Sequence, residues 1–548
     1  MRLGTGILFH VLGGVLMATA VTTGAATAAS KTYQDLLTLF GEWRAFERPP
    51  LRDGAPDYTA NTFERRRQEL KNYESRLAAI DPSRWPIEQQ VDYQLVRAEM
   101  NGLDFDIRVL QPWARDPAFY QSVFTEQSDT PAHEGPTNHA LVELWTYSFP
   151  LSSAAEKKLS GELWAIQPLL FQAQLNLVGN ARDLWVTGIG TMQKQLKVLS
   201  DLVEKTDSAN PELNRAARAA AKATDGFIVW LEAQAPSKTG PSGIGKENYT
   251  WSLRNVHLVP LTWEEEVDLL KRELARAHAS LRLEEQRNRG LPQLPVISSP
   301  EEYQRRANEA ITKYLAFLKA RDILPIRDYM DPAMRERIGE YSPEATREFF
   351  SMASHREPMT LFTHFYHWWD LAQMRVDPHV SPVRRGPLLY NIWDSRAEGM
   401  ATAMEEMMMH AGYYDDNPRA REIVWIMLAQ RAARGLASLR AQANEITMKK
   451  AKAFQVEWTP RGWMRPDLDL VGFEQQLYLR QPGYGTSYVT GKYLLDELLM
   501  DRSKQLGEEF TLRRFLTELN AAGVIPVSMI RWQLTGRDDE IRALTRAD

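Results

Sequence analysis

Amphipathic helical segments that begin with a capping signal recur along this chain, and they constrain its fold more than any other feature. Thr262 stands three positions before Glu265, which is the spacing of a capping box, and apolar residues follow at helical intervals. Ser299 and Glu302 repeat the pattern farther along. Alternating strand patterns are scarce and short. The sequence therefore predicts a mostly α protein with few short strands.

The length of 548 residues allows one large domain or two to three ordinary ones. Residues 232–250 are rich in Gly, Pro and Ser and mark the best internal boundary. They divide a mature chain of residues 30–548 into a helical half, 30–235, and a half with denser aromatic and histidine content, 250–548. The alternative is that this stretch is a loop inside one domain.

Composition excludes several classes of function. Apolar residues make up 44% of the chain and charged residues 25%, as in a packed globular protein. The net charge is −5 with both signs interspersed, so no basic stripe indicates a nucleic-acid partner. The sequence contains no cysteine, which excludes cysteine nucleophiles, thiolate metal sites and iron–sulfur clusters.

The first 29 residues are typical of a signal peptide. Arg2 precedes an apolar run over residues 7–21, and small residues follow with a predicted cleavage site near Ala28 or Ala29. We therefore expect a periplasmic or secreted protein, with an N-terminal membrane anchor as the alternative. No later segment is long and apolar enough to span a membrane.

Two segments of the second half carry residues suited to metal binding. His364 and His367 are three apart, so on a helix they share a face and can grip one ion. Glu398 and Glu405 also share a face, which suits metal ligands or an acid/base pair. The alternatives are a core helix with hydrogen-bonded histidines, and glutamates that are solvated or paired with Arg396.

A turn feeds a helix near Tyr488, whose hydroxyl could stabilise an oxyanion or be purely structural. Another stretch, HEGPTNH, places His133, Glu134 and His139 at the spacing of many zinc hydrolases. It is dense in turn-forming residues. We therefore expect a loop near the mouth of a cleft, leading into a helix from Ala140, rather than the metal site itself.

An ordered series of segments resembles the bacterial family called domain of unknown function 885. It includes WPIEQQVDYQLVRAEMNGLDFD, AEGMATAMEE, QPGYGTSYVTGK and LGEEFTLRRFLTELNAAGVIPVSMI, collinear over most of the mature chain. The resemblance implies a large helical, metallopeptidase-like architecture related to the zincins. In that family, a His-Glu-x-x-Pro-Gly-His segment and a glutamate on a second helix are expected to bind zinc. The glutamate after the first histidine would then be the general base.

Aligned by order, this chain departs from that pattern. His364 and Glu398 occupy the positions of the first and third ligands, Asp370 that of the second histidine, and Phe365 that of the base. Phenylalanine cannot accept a proton. Six residues turn a helix by roughly 240°, so His364 and Asp370 point apart, and His367 is the easier second ligand.

These residues predict one divalent metal such as zinc, bound by His364, Glu398 and one of His367 or Asp370. The other candidate site residues are Glu405 and Tyr488 for the reaction, and Trp368, Trp369 and Arg434 for substrate binding.

Two hypotheses for function follow, and a third assigns the motifs to packing alone. The first is a divergent exported hydrolase with a non-standard metal site. The second is a catalytically inactive pseudo-peptidase that binds a small peptide, a glycan or another extracellular ligand in an aromatic cleft. The third is a structural envelope protein. Nothing in the sequence indicates an oligomeric state.

Overall fold

A computed structural model describes residues 31–206 and 210–545, so the predicted signal peptide lies outside the described residues. The described chain is mostly helical, as predicted. Its α-helices are α1 Tyr33–Glu47, α2 Ala60–Ala78, α3 Ile87–Phe105, α4 Pro112–Arg115, α5 Ser153–Trp164, α6 Ile166–Asn176, α7 Arg182–Lys205, α8 Pro211–Gln234, α9 Lys246–Asn255, α10 Trp263–Arg287, α11 Pro300–Ala320, α12 Met330–Arg335, α13 Phe349–Ser354, α14 Pro358–Phe362, α15 Tyr366–Val376, α16 Asp394–His410, α17 Pro418–Gln442, α18 Met448–Trp458, α19 Leu470–Arg480, α20 Tyr484–Leu506, α21 Leu512–Ala521, α22 Val527–Thr535 and α23 Asp539–Thr545. The short strands are β1 Leu51–Arg52, β2 Ala55–Pro56, β3 Val123–Phe124 and β4 Val142–Glu143.

The capping signals explain where the long helices begin. At α10 the Thr262 hydroxyl accepts a hydrogen bond from the Glu265 backbone N–H at 3.2 Å. The Glu265 carboxylate accepts one from the Thr262 N–H at 2.8 Å, which completes the predicted capping box. At α11 the Ser299 hydroxyl accepts from the Glu302 N–H at 3.2 Å, again as predicted.

The buried apolar residues form two large clusters. The larger draws on α1 to α3 and then on residues 244–544, whereas the smaller draws on residues 55–231. The N-terminal helices therefore contribute to the same core as the second half of the chain. The division of the chain near residues 232–250 stays a prediction.

Helices α16 and α20 pack closely because glycines face each other at their crossing. A Cβ atom at Gly491 would lie 2.1 Å from the Ser395 carbonyl oxygen and 2.8 Å from Gly399 Cα. Any side chain there would force the helices apart. This close crossing fixes α16, which carries Glu398, against α20, which carries the tyrosines described below.

The segment after residue 139 is not the predicted helix. Residues Val142–Glu143 form β4, which pairs in parallel with β3, and a short 3₁₀ turn follows over Leu144–Thr146. The pairing with β3, some twenty residues earlier, decides the local structure. Elsewhere in the described ranges, no helix combines the length and apolar character needed to cross a bilayer.

Candidate functional site

His364 and His367 lie where a 3₁₀ turn, Thr363–Phe365, passes into α15, and their side chains meet Glu398 of α16. The two Nε2 atoms are 3.3 Å apart. Glu398 Oε2 lies 3.1 Å from His367 Nε2 and 3.7 Å from His364 Nε2. The structure thus brings together the ligand set that the sequence favoured on geometric grounds.

Nε2 of His364, Nε2 of His367 and Oε2 of Glu398 form an arrangement that fits a metal ion. Ligand atoms bound to zinc at its usual distance, with tetrahedral angles, are about 3.3–3.4 Å apart, and the three separations here bracket that value. Glu398 is 1% exposed, and its Oε2 has no hydrogen-bond partner among the described residues. A buried acceptor facing two imidazole nitrogens needs a cation or a proton between them. Two histidines and one glutamate are also a donor set that catalytic zinc sites use.

The surrounding charges favour the ionised form of the Glu398 carboxyl group. Burial by itself would raise the pKa of Glu398, but His367 and His364 hold it well below its usual range. Burial would likewise lower the pKa of His367, and the Glu398 carboxylate instead raises it to about 9. At neutral pH the ionised Glu398 is therefore balanced by a protonated His367, and an ion bound at the centre would displace that proton and pair with the carboxylate.

A second carboxylate orients His364 from behind. Glu405 Oε1 lies 3.0 Å from His364 Nδ1 and accepts its hydrogen, which leaves Nε2 free to bind an ion. Arg431 also lies 3.2 Å from Nδ1, but a guanidinium can only donate, and it makes two bonds of 2.6 and 2.8 Å to Glu405. Glu405 thus pairs with Arg431, not with Arg396, and it acts on the cluster through His364.

Tyr484, at the start of α20, links the cluster to a third carboxyl group. Its hydroxyl lies 2.5 Å from Glu398 Oε1 and 2.6 Å from Glu134 Oε1. Tyr488, one turn later, donates to the Tyr484 oxygen at 3.2 Å and stacks its ring against His364. One hydroxyl hydrogen cannot serve two carboxylates, so this chain of oxygens must hold a second proton.

Glu134 is the group that holds that second proton. Burial and the nearby carboxylate of Asp129 raise the pKa of Glu134 to about 8, and the hydrogen bond from Tyr484 opposes this only in part. Asp129 also lies close enough to His367 and Glu398 for its charge to act on both. A carboxyl group that can exchange a proton near neutral pH therefore stands beside the cluster.

The stretch HEGPTNH is a loop, as predicted, and contacts with the end of α19 and the turn after it hold it in place. Gln481 accepts a hydrogen bond from the Gly135 N–H at 2.6 Å, and Arg480 donates to the Pro136 carbonyl at 2.9 Å. His133 and His139 pair with Glu143 and Glu47, at 3.3 and 3.4 Å. Neither histidine belongs to the cluster, but Glu134 between them reaches it.

Asp370, the alternative ligand, is not brought to the cluster. Its carboxylate pairs with the buried Arg396 at 3.1 Å, on the face of α15 that the helical turn predicted. Phe365 stacks against Phe362 at 4.7 Å between ring centres. The family position of the base is therefore apolar in its surroundings as well as in its side chain.

The residues expected to bind substrate differ in their placement. Trp369 is 4% exposed and donates to the Met330 carbonyl at 3.0 Å, so it belongs to the core rather than to an open cleft. Arg434 is buried too, paired with Glu474 at 2.5 Å and lying 4.0 Å from the Tyr488 ring centre. Trp368 is half-buried, and the Arg337 guanidinium lies 3.9 Å from its ring centre.

The fold and the converging ligand atoms define a large helical protein with a candidate metal centre of two histidines and one glutamate. The chain belongs to the family described as "Bacterial protein of unknown function (DUF885)", which matches residues 38–361 and confirms the predicted family. This match ends just before His364. It includes Glu134 but not the three candidate ligands.

Two solved structures share the fold. One, from Shewanella oneidensis, has a TM-score of 0.68 at 15% identity and covers 92% of this chain and 99% of its own. The other, from Colwellia psychrerythraea, has a TM-score of 0.65 at 14% identity with the same coverage. Both carry a provisional lipoprotein designation, the first with its function stated as unknown. No curated protein matches the chain significantly.

Sequence reasoning missed Glu134 and Tyr484 as members of the site. Glu134 carried a signal, since it follows a histidine in a zinc-hydrolase spacing, but the order of the family motifs pointed elsewhere. Tyr484 lies 350 positions later in the chain. No local pattern connects two residues at that separation.

Proposed function

We propose that this protein is an exported, metal-dependent hydrolase whose ion is bound by His364, His367 and Glu398. The observation that carries the proposal is the approach of three ligand atoms within 4.8 Å of one another. Among the residues in the described ranges, this is the one group of three such side chains that meets so closely. A divalent ion bound there would polarise a carbonyl group and acidify a water molecule, as metal hydrolases require.

Glu134 supplies the proton acceptor that position 365 lacks. Its carboxyl stands beside the ligands through Tyr484, and its raised pKa suits a group that takes a proton from water and later gives it to a leaving group. The base thus comes from a loop rather than from the helix that carries the histidines. This arrangement replaces the family pattern, in which base and first ligand are neighbours in sequence.

Tyr484 and Tyr488 supply hydroxyl groups on the same side, and a substrate oxygen would accept the Tyr488 hydrogen in place of the Tyr484 oxygen. Their oxygens are 3.2 Å apart, and burial raises the pKa of both well above the usual value, so both remain protonated at neutral pH. Preorganised donors of this kind stabilise the negative charge that develops on a carbonyl oxygen. Arg434, 4.0 Å from the Tyr488 ring centre, holds that ring in place rather than binding substrate directly.

The setting we propose is the periplasm or the extracellular space, and the substrate class is a small peptide or a similar extracellular ligand. The signal-like first 29 residues and the provisional lipoprotein designation of both structural neighbours support export. The alternative is a pseudo-peptidase that binds its ligand without cleaving it.

Metal content and hydrolysis test the proposal together. The purified mature protein is expected to contain about one zinc-class ion per chain by elemental analysis and to cleave members of a peptide library in a chelator-sensitive way. His367→Ala and Glu398→Gln should lose both properties. His410→Ala is the matched control, because this histidine is exposed at the end of α16 and pairs with Glu406.

The outcomes distinguish the metal-dependent hydrolase from the pseudo-peptidase. Absence of metal from protein purified without chelator and then incubated with zinc would exclude the metal centre. Bound metal with no cleavage of any library peptide would favour the pseudo-peptidase. If His410→Ala lost as much metal as His367→Ala and Glu398→Gln, the loss would not be specific to the three proposed ligands.

A further inference from the structure

A separate cavity of about 500 Å³ lies on the other side of the loop that carries Glu134. Its walls come from α1, from the end of α3, from the loop of residues 131–139 and from residues 387–391. None of the three candidate metal ligands lines it. The volume is in the range of small-molecule sites in proteins.

With one exception, every charged side chain that lines this cavity has at least one hydrogen-bond or ion-pair partner inside the described part of the protein. The Nε atom of Arg66 is itself buried without a partner among the described residues. Arg66 donates to the backbone carbonyls of Phe46, Glu47 and Arg48. The pairs made by the other lining residues are Arg44 with Glu99 at 2.9 Å, Glu47 with His139 at 3.4 Å, His133 with Glu143 at 3.3 Å, His257 with Asp394 at 3.8 Å and Arg480 with Asp116 at 2.6 Å.

The exception is Asp106. No side chain or backbone group in residues 31–206 or 210–545 makes a hydrogen bond or ion pair with its carboxyl group. The Glu47 carboxylate lies near enough to repel a negative charge on Asp106. Asp106 is half-buried in the cavity wall. A carboxyl group that is partly removed from solvent and has no partner favours a ligand that supplies one.

The remaining walls suit an apolar body attached to a positive charge. Aromatic side chains surround the space, and cations are attracted to the faces of such rings. The aromatic lining residues are Tyr58, Phe63, Phe105, Trp113, Phe119 and Tyr390.

We propose that this cavity binds an organic amine, with its ammonium group on the Asp106 carboxylate and its apolar body against the aromatic walls. The positive charge of the ligand follows from the pairing, because the one charged side chain of the lining with no partner at all in the described chain is an acid. Each arginine of the lining already pairs with a carboxylate or donates to backbone carbonyls. The site does not depend on the proposed hydrolase function. A free amine and the amino end of a peptide share this chemistry.

The local backbone is built to present these groups. Asp106 opens a π-helical turn, Asp106–Leu110, that extends α3, and such turns occur often at functional sites. Tyr390 adopts a positive φ of 56°, an unfavourable conformation for a bulky residue. Gly102 makes room for it, since a Cβ there would lie 2.3 Å from the Tyr390 ring.

Thermal shift and calorimetric titration with defined probes test the proposal. 2-Phenylethylamine is expected to raise the Tm, whereas 2-phenylethanol and phenylacetate, which have the same body, should not. Asp106→Asn should weaken the amine affinity at least about tenfold, as expected for loss of a charged hydrogen-bond partner. A second arm compares phenylalanyl-glycine with its N-acetyl form, and binding of the free form alone would extend the ligand class to peptide amino ends.

Two controls separate this site from other effects. Asp104→Asn removes a carboxylate two residues earlier in α3, which pairs with Arg108 at 2.6 Å, and should bind the amine like the parent protein. His367→Ala should also retain amine binding, so loss of the proposed hydrolase would leave this result intact. The proposal is overturned if no amine probe binds, if the alcohol binds equally well, or if Asp106→Asn binds the amine unchanged while remaining folded by circular dichroism.

Discussion

Replacement of Glu134 by glutamine tests the most unexpected feature of the proposed mechanism, a proton acceptor that lies on a loop. Glutamine has the same shape and keeps an oxygen that can accept the hydrogen bond from Tyr484 at 2.6 Å. It cannot take a proton from water. The substitution therefore removes one chemical property and leaves the packing in place.

The expected loss of activity follows from the proposed role of Glu134 as general base. Removal of a positioned general base lowers kcat by about 10²–10⁴-fold, while KM and metal content should change little because Glu134 is not a ligand. The proposed metal ligands are held by Glu405 and by the packing of α16 on α20, neither of which involves Glu134. A fall in metal content together with activity would point to a structural role instead.

The pH dependence of the parent protein supplies a second readout. The base form of Glu134 is the carboxylate, and its pKa is raised to about 8, so at pH 7 about a tenth of it would be in that form. A bound cation would lower this pKa. The rate of hydrolysis should therefore rise with pH and level off at or below about pH 8. This rising part of the pH–rate profile should be absent in Glu134→Gln.

The assay is single-substrate kinetics with the best peptide from the library, between pH 5.5 and 9. Glu143→Gln is the matched control, since this glutamate lies at the end of the same loop, pairs with His133 and has a side chain that is 44% exposed. It should retain parental kinetics. The assignment of Glu134 as the base fails if Glu134→Gln keeps more than a tenth of the parental kcat, or if it keeps the same rising part of the pH–rate profile.

Three further changes are informative. Glu405→Ala should weaken metal affinity about 10–100-fold in a chelator competition, because it leaves the His364 ring without its orienting carboxylate. Asp370→Ala should lower the free energy of unfolding by about 3–5 kcal/mol in urea, since the buried Arg396 loses its partner, but it should not change metal content. Burial raises the pKa of Asp106 to about 8, above its value in the unfolded chain, so the parent protein loses stability as the pH rises from about 4 to 8. Asp106→Asn should therefore be the more stable protein at pH 8.5, by at most about 5 kcal/mol in the free energy of unfolding. This difference should shrink toward pH 4.

Local signals in the sequence were sufficient for the helices that carry their own caps. The Thr262 and Ser299 caps form as predicted because each requires contacts within one turn. The segment after Ala140 was wrongly predicted as a helix, since its structure depends on pairing with β3. Propensity was overridden there by a neighbour that the local sequence does not contain.

The candidate site shows the same limit more sharply. His364 and His367 could be paired from their spacing, and the helical turn correctly placed Asp370 on another face. The approach of Glu398 required the packing of α16 against α15, which only the family resemblance had suggested. The contact between Tyr484 and Glu134 joins residues 350 positions apart, and neither spacing nor motif order could have found it.

In the hydrolase that we propose, the separation of ligands from base explains how position 365 can be a phenylalanine. The proposed base enters from the opposite side, on a loop that the Gln481 side chain and Arg480 hold by its backbone. The same Gln481 side chain donates to Asp394 at the start of α16, and Tyr484 follows it by three residues. One short turn therefore positions the base, the hydroxyl donor and the helix of the third ligand together. A change that shifts this turn should impair all three at once, whereas a change at position 365 should affect none of them.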